Sequence, residues 1–369
     1  MTDTCNCARK LSRLLAGKLS DITGMTIHSL MCHHHLRNIH VKAILEETTK
    51  DLRADLQECL SKFDKNLRVS PNFHAMARAI DKGFSLTTNY PKGHGALFLR
   101  WMKDVHPGEE LLLNVERAAV GVRHDIVSMA ALAIYWNRNY YIEFLHELRV
   151  FNGKSDNLLV NYNYAMLSSL EMVAVARLWS ILHISIIMPL RWIASKVHEL
   201  SDYDWCYLNI GNVYDKLKVN LQAIVDNPKL IHDEAFMMGI TKQWSDELPP
   251  LKEYLHHEFE LKQTNYVNSP DASAPKPVPL KMVRKELFNP TDEDNKDSTS
   301  KLEALAKIAA QTWIRELLDP KKATFQFMSE SGSPYCWANR TPELKEALMG
   351  RKVVNDLAES AFAGVTEQL

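Results

Sequence analysis

The sequence has almost no excess of charge of either sign, and this limits the partners that the chain as a whole can attract. Its 44 lysines and arginines nearly balance its 45 aspartates and glutamates, giving a formal net charge of −1. A balanced chain has no overall field that would hold it on nucleic acid or on an anionic membrane. Any contact with DNA must therefore come from a local basic patch.

Cysteine is also scarce, with six residues among 369. This density is too low for a disulfide framework and is typical of a reducing compartment. The first residues, MTDTCNCARKLSRLL, lack an apolar core followed by a small-residue cleavage site, so we expect no signal peptide. These features predict an intracellular protein, nuclear or cytoplasmic.

Long hydrophobic runs are nearly absent. The stretch LWSILHISIIMPL at 178–190 is apolar, but it is too short to cross a bilayer and is bracketed by Arg177 and Arg191. His183 also interrupts it. We interpret this stretch as a buried helix and expect no membrane partner.

Helical periodicity dominates what remains. Apolar residues three and four positions apart recur along most of the chain, whereas MTIHSLMC at 25–32 is the one strand-like run. The expected helices cover about 4–19, 36–60, 71–83, 96–105, 109–120, 124–149, 158–187, 190–200, 205–226, 232–240, 249–263, 301–318 and 342–369. We expect Gly83 to end one of these helices and Pro189 to break or kink another.

Residues 264–300 have a different composition. SPDASAPKPVP is rich in proline and small residues, and NPTDEDNKDSTS is acidic and polar. Neither stretch carries enough apolar side chains to offset the entropy of ordering it. We therefore expect a mobile segment on both sides of the short run KMVRKELF.

The stretch MCHHHLRNIH at 31–40 concentrates potential metal ligands. Cys32 and His35 have a spacing that can supply two zinc ligands, and Cys5 and Cys7 could supply two more. Because Cys-x-Cys is not the usual zinc-ribbon spacing, we favour a structural Cys-His pair at a strand-helix junction. The remaining histidines are expected at the surface or at the helix cap: His33, His34 and His40.

The dipeptide His124-Asp125 resembles the metal-binding pair of helical phosphohydrolases. The same dipeptide recurs at His232-Asp233, and the sequence contains fifteen histidines, so chance pairs are expected. The pair supports only a minor alternative function.

Near the C-terminus, Glu359 lies on a predicted helix whose apolar residues would pack against a core. A carboxylate presented in this way could bind a metal ion that activates water or polarises a phosphate. A solvated glutamate on an amphipathic helix is the plainer interpretation of the same pattern.

Three features follow one another in a fixed order: Asp3 in TDTCNCARK, Cys32-x2-His35 after the strand-like run, and Glu359 after a very long helical stretch. This order resembles that of DDE transposases of the RNase H-like fold that carry an all-helical insertion, the hAT-like group and its relatives. Segments such as FSLTTNYPKGHGALF, IYWNRNYYIEFL and NDLAESAFAG are also similar to a protist family of transposase-like proteins, over most of the chain.

The resemblance implies a role for each matched residue. Asp3 corresponds to the second catalytic acidic residue and Glu359 to the third, together binding Mg²⁺ or Mn²⁺ for phosphoryl transfer. Cys32 and His35 correspond to the signature that supports this site where the insertion begins, so zinc is not expected. The first catalytic aspartate and its strands do not precede Asp3 in this sequence. We therefore expect an N-terminally truncated relative with little or no activity of its own.

The predicted architecture is mainly α, with a large helical insertion attached to a partial RNase H-like α/β remnant. Residues 1–40 and 341–369 would form the remnant and 41–340 the insertion, which places Cys32 and His35 near Glu359. Intact relatives would cleave and transfer DNA strands, so we expect DNA to be a partner of the intact protein. Association into homo-oligomers is a further alternative. The alternatives are a non-catalytic helical interaction or scaffold protein and, more weakly, a phosphohydrolase built on His124 and Asp125.

Overall fold

The structure is a computed structural model. It describes residues 33–63, 65–68, 73–84, 94–109, 111–112, 126–151, 157–196, 209–247, 251, 278–291 and 293–318, together with positions 14, 18, 21, 22 and 342. At the ends of some helices only the backbone is described.

The described part of the chain is mainly helical, as the periodicity predicted. Helix accounts for 89% of it, and no strand occurs within it. The strand-like run 25–32 lies outside the described residues. The α-helices are α1 (His33–Phe63), α2 (Phe73–Phe84), α3 (Gly95–Val105), α4 (Ile126–Phe151), α5 (Leu158–Leu167), α6 (Leu170–Leu182), α7 (Met188–Lys196), α8 (Asn209–Asp226), α9 (Glu234–Glu247), α10 (Leu280–Phe288), α11 (Glu293–Asp297) and α12 (Thr299–Leu318).

Two compact units make up the chain. One comprises residues 1–40, 190–219 and 315–369, and the other comprises 41–189 and 220–314. The first unit is described only over parts of helices, in which Trp192, Val213 and Leu217 are buried. The second unit is described over most of its length and contains the sites discussed below.

The second unit is built around α4 and α6, which pack along each other. Helices α2, α3 and α5 contact α4, while α10 and α11 contact α6. The segment Leu170–Ile193 is long and apolar enough to span a membrane, with a mean hydropathy of 1.8, but its most apolar window is entirely buried in the protein. The interpretation of 178–190 as a buried helix is confirmed.

The passage from α6 into α7 shows how a buried helix accommodates a proline. Pro189 has no N–H, and the chain adopts a π-helical turn at His183–Ile187 just before it. The N–H of Met188 binds the carbonyl of His183, and α7 then carries the chain through the proline. The interruption predicted at Pro189 is therefore a local change from α-helix to π-helix just before the proline.

Two predicted helices differ from the structure. The run 158–187 is divided at Ser168 and Ser169, because the hydroxyl of Ser169 caps a new helix by accepting the N–H of Met172 at 3.1 Å. Residues Leu111 and Leu112, expected in a helix over 109–120, lie outside any helix and bury their side chains. The reason is a side chain of α4 that pairs with the backbone there, as described below.

The expected mobile segment 264–300 contains helices α10 and α11 and the start of α12, whereas residues 264–277 lie outside the described residues. Val283, Leu287 and Ser298 are fully buried. Within the acidic stretch 289–300, α11 is helical and Asp294 accepts a hydrogen bond from an arginine of α4, although most of its described residues are exposed.

Candidate functional site

The predicted catalytic and signature residues fall almost entirely outside the described residues. Asp3, Cys32 and Glu359 belong to that undescribed part, and His35 lies in the first turn of α1 with only its backbone described. The expected proximity of Cys32 and His35 to Glu359 stays a prediction. His40 differs from its expected surface or capping position, because it is 1% exposed and therefore a core residue.

The second His-Asp dipeptide has a structural role. Asp233 accepts the N–H of Phe236 at 3.0 Å and so caps the N-terminus of α9. His232 lies 3.3 Å from the carboxylate of Glu303. Burial and the neighbouring positive charge of Arg177 lower the pKa of His232. His124 and Asp125 lie outside the described residues.

A buried Ser-His pair also occurs in the core. Ser128 Oγ lies 2.9 Å from Nδ1 of His183, in the π-helical turn. Such a pair can activate a nucleophile. Ser128 is fully buried and His183 nearly so, which gives a substrate no route to the hydroxyl. We assign the pair a structural role.

A polar cleft in the second unit is the candidate site, because charged and aromatic side chains converge on it. The turn after α3, the outer face of α4 and the α10 region enclose it, with a volume of about 540 Å³. The described residues that line it are Pro107, Gly108, Glu109, Tyr135, Trp136, Arg138, Asn139, Tyr140, Met282, Glu286 and Thr291.

The turn after α3 forms the first wall of the cleft. Gly108 adopts φ +87°, a left-handed conformation that favours glycine. The hydroxyl of Tyr140 donates to Oε2 of Glu109 at 2.8 Å. His106 lies 3.0 Å from the carboxylate of Glu143, between the rings of Trp101 and Tyr140. Two contacts to α4 therefore fix this turn.

A buried amide on α4 holds the chain just beyond the turn. Asn137 accepts the N–H of Leu112 at 3.0 Å and donates to the carbonyl of Leu112 at 2.6 Å. Its Nδ2 also donates to the hydroxyl of Tyr141 at 3.1 Å. This two-way pairing satisfies both backbone groups of Leu112, which explains why the residue need not be helical.

The second wall belongs to α10 and the residues that follow it. Glu286 accepts both the backbone N–H and the hydroxyl of Thr291, each at 3.2 Å. The hydroxyl of Tyr135 reaches across from α4 and donates to the carbonyl of Glu286 at 3.2 Å. Met282 lies on the same wall and is 46% exposed.

Two buried arginines hold this second wall against the core. Arg138 donates through Nε to the carbonyl of Leu167, the last residue of α5, and through Nη2 to Asp294 of α11, both at 2.6 Å. Arg177 donates through Nε to the carbonyl of Leu287 near the end of α10 at 2.8 Å. Both carbonyls lack a partner within their own helix, and a cation at a helix C-terminus is favourable.

An apolar groove between α3 and α4 is the second cavity, with a volume of about 480 Å³. Leu97, Trp101, Phe144 and Val150 line it. Leu97 is 45% exposed and Val150 68% exposed, while the indole N–H of Trp101 donates to Glu147 at 2.7 Å.

The sequence alone did not identify the cleft. Trp179, Trp192, Trp244 and Trp313 are buried in the core, whereas Trp101 and Trp136 are half-buried and line cavities. Glu109, Arg138 and Glu286 carried no local signal, because charged residues of this kind are common on helices. The aromatic residues of α4 that line the cleft, Tyr135, Trp136 and Tyr140, are equally typical of a helix packed in a core.

Within the described residues no group of three or more His, Cys, Asp or Glu side chains could hold a metal ion. Comparisons with protein-family models, with curated proteins and with solved structures found no match.

Proposed function

We propose that the chain is a transposase-derived protein in which the described helical unit is the insertion of an RNase H-like domain. The observation that supports this proposal is the chain order of the two units. Residues 1–40 and 315–369 are grouped in one compact unit, and residues 41–189 and 220–314, whose described part is mainly helical, form the other. A domain inserted into another has this order. The return of 190–219 to the first unit was not expected from the resemblance.

In this proposal Asp3 and Glu359 bind Mg²⁺ or Mn²⁺, and Cys32 and His35 support that site. Metal ions at such a centre stabilise the attacking and leaving oxygens of a phosphoryl transfer. The sequence assigns only two carboxylates to a centre that uses three in the family it resembles. We therefore propose metal binding with little or no DNA strand cleavage by this chain alone.

The test is a thermal melt with and without Mn²⁺, together with a nicking assay on supercoiled plasmid. A ligand that binds only the folded state at 100 times its Kd stabilises by about 2.7 kcal/mol, which raises Tm measurably. Asp3→Asn and Glu359→Gln should each abolish the shift, whereas Glu367→Gln should retain it. A Tm indifferent to Mn²⁺ would refute the metal site, and strong nicking lost in Glu359→Gln would show an active one.

A non-catalytic helical interaction protein is the second candidate, and the apolar groove favours it. Exposed Leu97 and Val150 beside Trp101 form an apolar surface of the kind found at protein interfaces. This candidate predicts melts that are independent of divalent cations in the wild type and in both carboxylate variants.

A further inference from the structure

We propose that the polar cleft binds a small organic cation, an ammonium group that carries apolar substituents. The inference goes beyond the proposed function and does not depend on Asp3 or Glu359. It rests on three properties of the cleft: its charge, its hydrogen-bonding capacity and its aromatic lining.

The charge of the cleft favours a cation. Glu109 and Glu286 contribute two carboxylates, and Arg138 contributes one guanidinium. That guanidinium is already paired with Asp294 at 2.6 Å. A positively charged ligand would therefore meet two carboxylates that Arg138 does not neutralise; Arg177 attracts Glu286 from the core side, whereas no such arginine faces Glu109 among the residues that line the cleft.

Both carboxylates keep acceptor capacity. An ionised carboxylate offers about four lone-pair sites. Glu109 accepts from Tyr140 through Oε2, and Glu286 accepts from Thr291 through each oxygen. These bonds orient the carboxylates and leave room for a donor or a cation in the cleft.

The aromatic lining favours an alkylated ammonium over a metal ion. Tyr135, Trp136 and Tyr140 line the cleft together with the thioether of Met282. Aromatic faces attract organic cations, and recognition of quaternary ammonium groups is the best-known use of this interaction. A bare divalent cation prefers a shell of oxygen ligands instead.

An anionic ligand fits less well, because the guanidinium of Arg138 already donates its hydrogen bonds to groups of the protein. Arg138 donates to Leu167, Asn139 and Asp294 through its three nitrogens. An anion would have to compete with these bonds while facing the carboxylates of Glu109 and Glu286.

Calorimetric titration of the full chain at low salt tests the proposal, with choline as the probe. Its uncharged isostere 3,3-dimethylbutan-1-ol controls for shape, and inorganic phosphate represents an anion. We expect choline to bind at least about 10-fold more tightly than the isostere, since the charge provides both the carboxylate and the cation-π attraction. A trimethyllysine peptide that binds more tightly than choline would identify a side chain as the source of the cation.

Variants of the lining residues test whether choline binds in the cleft. Glu109→Gln and Trp136→Leu should each weaken choline by about 5-fold, and Glu46→Gln, an exposed carboxylate on α1, should leave it unchanged. If Trp136→Leu melts well below the wild type, Tyr140→Phe replaces it: it keeps the ring and loses the bond to Glu109, and it too should weaken choline. Equal binding of choline and its isostere, tighter binding of phosphate, no binding of choline, or no effect of Glu109→Gln would each overturn the proposal.

Discussion

Replacing Gly83 with alanine should destabilise the protein, although alanine is the better helix former. Gly83 is the penultimate residue of α2, and a Cβ built on it would lie 2.5 Å from Nδ2 of Asn163. Real Cβ atoms do not approach that closely, so Asn163 would have to move. The amide of Asn163 is buried and donates to the carbonyl of Ala79 at 3.0 Å.

The magnitude follows from two opposing effects. Displacing Asn163 breaks a buried hydrogen bond and leaves polar groups unsatisfied, which costs about 1–3 kcal/mol. Alanine in place of glycine in a helix gains up to about 1 kcal/mol, and less near a helix end. We therefore expect Gly83→Ala to lower the free energy of unfolding by about 1–2 kcal/mol.

Urea unfolding followed by far-UV circular dichroism measures this change. Gly239→Ala is the matched control, since Gly239 lies inside α9 and its added Cβ would meet nothing within 4 Å. That variant should be more stable than the wild type by about 0.4–1 kcal/mol.

A double-mutant cycle isolates the cause. In an Asn163→Ala background the obstacle is gone, so Gly83→Ala should become neutral or stabilising. The reasoning is refuted if Gly83→Ala matches or exceeds the wild type in stability, or if its effect is the same in both backgrounds.

Three further predictions concern polar groups of the second unit that are buried, as are Arg177 and Asn137, or half-buried, as is His232. Arg177→Lys should lower the free energy of unfolding by about 1.5–3 kcal/mol in urea, because lysine cannot reproduce the guanidinium bond to Leu287. Asn137→Leu should cost about 2–4 kcal/mol, since both backbone groups of Leu112 lose their partner, and the amide of Leu112 should exchange with deuterium faster. The pKa of His232 is lowered in the folded state, so the unfolded chain binds more protons below about pH 6.5 and stability falls as the pH drops through that value. His232→Gln should flatten this loss of Tm between pH 7 and 5, by up to about 1.4 kcal/mol for each unit of pKa shift.

Exposed positions of the same residue types provide controls for these variants. Arg315→Lys, Asn66→Asp and His146→Gln change residues at the surface and should shift stability by no more than about 0.5 kcal/mol. Equal effects of a buried variant and its control would contradict the role assigned to the buried group. A pH profile of His232→Gln that parallels the wild type would likewise exclude His232 as a source of acid sensitivity.

Periodicity predicted the helices well because their apolar faces are local features of the sequence. The signals at Gly83 and Pro189 were read correctly as positions where α2 ends and where the buried helix is disturbed, but for incomplete reasons. Gly83 is required by the approach of Asn163, 80 residues away in sequence, and Pro189 is accommodated by a π-helical turn. Contacts between residues so far apart in the chain cannot be recognised from the residues next to either one in the sequence.

The cleft could not be predicted for the same reason. It combines a turn at 107–109, one face of α4 and residues 282–291, which only the tertiary fold brings together. The acidic composition of 289–300, from which we expected mobility, also gave no sign of the helix at 293–297. Asp294 is ordered by Arg138, a partner 156 residues away.

The two arginines that hold α10 and α11 couple the cleft to the stability of this part of the fold. Met282, Glu286 and Thr291 reach the cleft only while Arg177 and Arg138 keep their bonds to Leu287 and Asp294. A ligand that needs both walls therefore stabilises the docked position of α10 and α11. By linkage, the docked position increases the affinity for the ligand by the same coupling free energy. Occupancy of the cleft would then be detectable as slower hydrogen exchange in α10, which lines it, and in α11, which follows it.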